Sequence, residues 1–157
     1  MSSLDVVVMT TEPVRIAETA GRAPGYGTAN LGPVFDRLVP QVLNHLGTAG
    51  ARPGVMIAWY EWPAEDGTIV LHAGFDIGDQ EVRDGDSIDV IDLPSVKVAS
   101  VLHRGPMNTI ETTYEALVRW IEDRGHKLAG HSRELYLQWD AVHPERNVTQ
   151  LQMPIET

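Results

Sequence analysis

The sequence predicts a mixed α+β fold made of two successive β-α-β-β units with a pseudo-two-fold relation. Three observations lead there. Two segments carry apolar residues at helical spacing, and short runs rich in β-branched and aromatic residues flank each of them. Strings from the first half also return in the second half in the same order. Val14-Arg15-Ile16-Ala17 matches Val96-Lys97-Val98-Ala99, Leu38-Val39 matches Leu117-Val118, Ile57-Ala58-Trp59 matches Leu135-Tyr136-Leu137, and Phe75-Asp76-Ile77 matches Met153-Pro154-Ile155. The first pair lies 82 residues apart and the later pairs 78 or 79.

The first helix is expected over Ala29–Leu46, where Leu31, Phe35, Leu38, Val42 and Leu46 form the stripe and Gly47 is placed to cap the end. Pro40 falls inside it and is a candidate kink. The second is expected over Pro106–Arg124, with Ile110, Tyr114, Leu117 and Ile121 as the stripe and Gly125 as the stop. Strands are expected at Val14–Ala20, Val55–Trp62 and Thr68–Ile77, then at Val96–Leu102, Glu134–Trp139 and Val148–Pro154. Pro94 and Pro154 fall at strand ends, where a sheet tolerates them.

The whole chain, residues 1–157, reads as a single domain: a first repeat over about 12–78, an acidic linker over about 79–93 and a second repeat over about 94–156. Seven carboxylates lie between Asp76 and Asp92, without the spacing or closing glutamate of an EF-hand, so a solvated connector is the expectation. Two such repeats would leave a groove between them, lined by side chains from both halves.

Composition narrows the function. Hydrophobic residues make up 43% and charged residues 22%, with a net charge of −10 and no basic cluster, which argues against a nucleic-acid surface. The absence of cysteine excludes disulfides, thiol catalysis and cysteine-bound metal. Met1 to Glu12 carries neither a basic nor an apolar leader region, and no apolar run reaches the roughly 20 residues of a membrane span. A cytoplasmic location and no membrane partner are the expectation. His126 and His131 have no HExxH spacing or carboxylate set, so neither metal nor cofactor is expected. Gly21 to Gly27 matches neither a phosphate-binding loop nor a dinucleotide fingerprint, and no serine elbow is present.

Three strings carry a family resemblance: Val98 to Pro106, Tyr114 to Ile121, and Ser132-Arg133-Glu134-Leu135-Tyr136-Leu137, with Thr149 to Ile155 closing the chain. They resemble the second half of GyrI-like domains, and Leu38 to Gly47 with Trp59-Tyr60 resembles the first half more loosely. The resemblance implies the duplicated SHS2 module and a small-molecule-binding role, as in the effector-binding domains of AraC-type and MerR-type activators. It also implies two alternatives: a hydrolase that opens cyclopropane-bearing DNA-alkylating natural products, and a gyrase-inhibitor-type interaction with protein.

The family's signature acid maps onto Glu134. Strand alternation puts Glu134, Tyr136 and Gln138 on one face and Leu135, Leu137 and Trp139 on the other. The apolar set is expected against the helix, leaving Glu134 and Tyr136 to line the groove; the competing reading is an exposed glutamate paired with a nearby base. In an enzyme, Glu134 and Tyr136 would be the catalytic pair. Alternation also puts Met56, Ala58, Tyr60 and Trp62 on one face as an opposite ligand wall, with Trp59 and Trp139 read as core. Trp120 is either packing or pocket. His103 either caps the second helix or reaches the ligand, and Tyr26 is a candidate lid residue. The expected partner is a small organic molecule, aromatic or cationic, sensed or sequestered by a stand-alone binding protein; no oligomeric state is expected from the residues.

Overall fold

The computed structural model describes residues 5–157. The reading of the N-terminus as leaderless rests partly on residues 1–4, which lie outside the described residues. The chain divides into two units, Glu12–Ser95 and the residues up to Thr11 together with Val96–Thr157. The structure is mixed α+β, with eight strands and two helices among the described residues, and every strand pairing within a unit is antiparallel.

In the first unit, strand β2 (Val14–Ala23) leads into helix α1 (Thr28–Thr48), followed by β3 (Met56–Tyr60), β4 (Ile69–Asp76) and β5 (Asp89–Leu93). The strand order is β3-β4-β2-β5. Helix α1 buries Val34, Leu38, Val42 and Leu46, a strict i, i+4 row. Val34, not Phe35, takes the first buried position, because this row is straighter than the predicted stripe. Pro33 and Pro40 both lie on the exposed side, and the helix continues through each. Gly47 is inside α1; the left-handed stop is Gly50, at φ 70°. The Gly50 N–H donates to the Gly47 carbonyl and the Ala51 N–H to that of Leu46, a Schellman closure.

The acidic segment is not merely a connector. Val82 and Ile88 are buried in the first unit's core with Ala17, Val42, Leu46, Phe75 and Ile77, and β5 pairs with β2. The carboxylates mask a sparse apolar series, Val82, Ile88, Val90 and Leu93, that alternates too irregularly to read as a strand.

In the second unit, β1 (Val7–Thr10) pairs with β6 (Lys97–Arg104). A short 3-10 turn at Met107–Thr109 opens helix α2 (Ile110–Asp123), and β7 (Arg133–Gln138) and β8 (Val148–Pro154) follow. The strand order is β1-β6-β8-β7. Ile110, Leu117 and Ile121 of α2 pack on Ala99, Val101 and Leu151 of the sheet, with Ile155. Gly125 ends α2 as predicted, at φ 75°, with its N–H on the Glu122 carbonyl and the His126 N–H on that of Ile121. Gly125→Ala is expected to cost about 1 kcal/mol through the left-handed backbone alone, read as a lower urea midpoint with an unchanged slope.

Candidate functional site

Strand β7 sets a carboxylate into the helix-facing side of the second unit's sheet. Glu134 stands directly across from Leu151, a core residue packed with α2, so its side chain rises on the same face as the helix. It is only 3% exposed. The Tyr136 hydroxyl, two residues on and therefore on the same face, donates to Glu134 Oε1 at 2.5 Å. The Tyr114 hydroxyl, on the α2 stripe, donates to Oε2 at 2.6 Å. Both carboxylate oxygens thus accept a hydrogen bond from a phenol.

The sequence places these groups by two periodicities. Alternation along β7 pairs Glu134 with Tyr136, and helical spacing from Tyr114 to Leu117 and Ile121 puts Tyr114 over the sheet. Alternation holds over Glu134 to Tyr136, but the assignment of faces is reversed from the expectation. Glu134 and Tyr136 face the helix and are buried; Leu137 and Trp139 are exposed. A lone glutamate in a strand reads as the outward-facing feature, whereas here two hydroxyls satisfy it inside. A register shift between Tyr136 and Gln138 then ends the alternation. Beyond it Trp139, predicted as core, is 56% exposed and meets the Tyr136 ring edge-on at 5.8 Å. Arg133, just before Glu134 on β7, is buried, and that desolvation lowers its pKa from the ordinary arginine value.

The other residues singled out from the sequence fall as follows. His103 is buried: Nδ1 lies 2.7 Å from Thr113 Oγ1 and Nε2 3.0 Å from the Pro106 carbonyl, so the ring fastens the turn that opens α2. Trp120 packs against the second unit's core, with the Arg124 guanidinium 4.7 Å over its ring and His126 stacked beside it. In the first unit, Met56, Ala58 and Tyr60 lie on the face of β3 turned towards α1; Met56 packs on that core, and Ala58 and Tyr60 are buried. Tyr26 is half exposed and meets Tyr60 edge-on at 6.2 Å; what burial it has raises its phenol above the ordinary value. Trp62, beyond the end of β3, is exposed.

One cluster escapes the sequence reading. On the opposite face of the first unit's sheet, Glu18 of β2 is buried between Trp59 of β3 and His72 of β4. The Trp59 indole donates to Glu18 Oε1 at 2.8 Å, and His72 Nδ1 lies 2.6 Å from Glu18 Oε2. His72 Nε2 lies 2.6 Å from Glu61 Oε2. Trp59, predicted as plain core, is half-buried and carries this polar contact. Alternation marks Trp59 and Glu61 as sharing a face, but only the strand register brings Glu18 and His72 to them.

Among the described residues, no group of three His, Asp or Glu side chains is arranged to hold a metal ion, and no helix is long and apolar enough to cross a membrane. Comparison with curated proteins finds no match. Among solved structures, the chain is similar to the C-terminal domain of EcmrR, at 17% identity, TM-score 0.82 and 98% of each chain. It is similar to SAV2435 bound to tetraphenylphosphonium, at 13% identity and TM-score 0.64, over 98% of this chain and 94% of that one. It also resembles a hydrolase from Listeria innocua, at 12% identity and TM-score 0.64, over 96% and 91%. These likenesses establish the shared fold. Residues 35–156 match the GyrI-like small molecule binding domain, and the chain belongs to that family.

Proposed function

We propose that this protein binds a small aromatic cation, with Glu134 as its charge receptor. The observation that carries the reading is a buried carboxylate held by two tyrosine hydroxyls, with an exposed tryptophan edge-on to one of the two rings. Charge attraction strengthens as water is excluded, and ring faces add roughly 0.5–2 kcal/mol each for a cation. The two phenol oxygens fix the orientation of the carboxylate, so the receptor is held ready for a charge. The bound cation of SAV2435, a neighbour in fold, supports the choice of probe.

The same bonds bear on the hydrolase alternative, to which the Listeria innocua hydrolase of similar fold lends support. A general base must present a lone pair to water. Here each oxygen already accepts a short hydrogen bond from a tyrosine, an arrangement that suits a fixed charge receptor.

Titration with tetraphenylphosphonium should give saturable binding, weakened about tenfold or more in Glu134→Gln, the equivalent of roughly 1.4 kcal/mol. A neutral aromatic of similar size should lose little in the same variant. Equal affinity of wild type and Glu134→Gln for the cation would remove Glu134 as the receptor. Ring opening of a cyclopropane-bearing alkylator by the wild type, lost in Glu134→Gln, would establish the hydrolase reading instead.

A further inference from the structure

The Glu18–His72–Glu61 array plays no part in the proposed ligand site, and it lies on the sheet face turned away from α1. Its chemistry is constrained by a count of protons. An ionised carboxylate only accepts hydrogen bonds, and a neutral imidazole has only one N–H to give. His72 meets carboxylate oxygens at 2.6 Å on both ring nitrogens. Both contacts are hydrogen bonds only when both nitrogens carry protons, that is, when His72 is an imidazolium.

The array is also closed on itself. The Trp59 ring stacks on the His72 ring at 3.6 Å with 10° between planes, while its indole N–H holds the other oxygen of Glu18. Three strands are therefore joined through one side-chain ring: β2 by Glu18, β3 by Trp59, and β4 by His72. Glu61, just past β3, binds the outer nitrogen, and its side chain is 46% exposed, against 4% for Glu18.

We propose that Glu18, Trp59, Glu61 and His72 form a proton-operated clasp on the first unit's sheet, closed while His72 holds both ring protons and released at Glu61 when it loses one. The outer proton is the one to leave. Glu61 is half in water and is rehydrated when the bond breaks, whereas Glu18 would be left buried and short of a donor. With the Nε2 lone pair then facing a carboxylate, Glu61 swings out, and the electrostatic hold on the end of β3 is lost.

Other charged groups on this face of the first unit are Arg22 of β2, Asp76 of β4 and Asp89 of β5; the register places Asp89 across from Glu18 and Asp76 across from Ile16. The hydrogen bonds and charges of Glu18 and Glu61 outweigh the opposing effect of burial and raise the His72 pKa above its ordinary 6.5. A raised folded-state value stabilises the protein fully below the unfolded value. That contribution is lost as the pH climbs through the folded one. The clasp is accordingly shut at mildly acidic pH and opens on the alkaline side of 6.5.

The test is a pH titration of the whole chain followed by nitrogen-detected NMR of the His72 ring and by tryptophan emission. The expected result is protons on both His72 nitrogens at pH 6.5 and a midpoint above it. Emission should rise through that midpoint, because a stacked imidazolium quenches indole fluorescence, and the rise should be lost in Trp59→Phe. Glu61→Gln, at a half-exposed position that does not endanger folding, should move the midpoint towards acid. His72→Gln should abolish the transition. A single protonated nitrogen at pH 6.5, a midpoint at or below 6.5, or an unmoved midpoint in Glu61→Gln would overturn the proposal.

Discussion

Gly74→Ala is expected to destabilise the first unit by about 3 kcal/mol, one of the largest effects of any single methyl group in the chain. Gly74 stands directly across from Glu18 in the β2–β4 pairing. A Cβ there would lie 2.4 Å from the Ala17 carbonyl oxygen, 2.8 Å from Glu18 Cβ and 3.0 Å from Glu18 Cα. None of these is the free end of a flexible side chain, so the clash is relieved only by pushing β2 off β4. The displaced residue is the one that holds Trp59 and His72. The variant should therefore show two linked changes: a lower urea midpoint, and loss of the pH-dependent tryptophan emission at the same time. A cost below about 1 kcal/mol would mean that the two strands slide apart freely at this point.

The second large effect is expected in the other unit. Leu117→Ala should cost about 3 kcal/mol, since Leu117 is fully buried and its removal leaves a cavity that the sheet cannot fill. Leu117 packs in one cluster with Leu151, the residue across from Glu134. Tyr114 lies one turn earlier on α2, and a helix that settles into the cavity draws its hydroxyl from Glu134. Affinity for tetraphenylphosphonium should fall along with stability. Urea unfolding followed by emission from Trp120 and Trp139, alongside a binding titration at low denaturant, separates the two consequences. Unchanged affinity with the expected loss of stability would show that the Tyr114 bond does not govern the site.

Most of the fold is legible in the sequence because period and punctuation agree. The helix stripes, the Gly125 stop and six of the strands follow from apolar spacing and turn residues. Two strands do not. β1 is four residues long with no alternation, and β5 hides its apolar positions among carboxylates. The site is half legible. Glu134 and Tyr136 come from a family string, and Tyr114 reads only as a helix-stripe residue. Its second role depends on which face α2 covers, which no local pattern states. The reversal at β7 has the same root. A glutamate reads as a surface residue until its hydrogen-bond partners are known, and Trp139 reads as core until a register shift turns it outward. The Glu18 cluster joins residues up to 54 apart, and only the register aligns them.

One connection governs how this chain assembles in time. β1 is hydrogen-bonded to β6, with Val7 across from Ser100 and the Thr11 N–H on the Val96 carbonyl, while the first unit is one unbroken stretch of chain between them. A ribosome adding roughly 5–20 residues per second delivers β6 several seconds after β1 has emerged. During that wait the intervening unit already has the partners for its own ladders, β3 to β4, β4 to β2 and β2 to β5. β1 waits for β6, and a short strand without its ladder is the kind of segment that invites association with a neighbouring chain. Its shortness limits that hazard, and the closure of β1 onto β6 becomes a late event of biosynthesis.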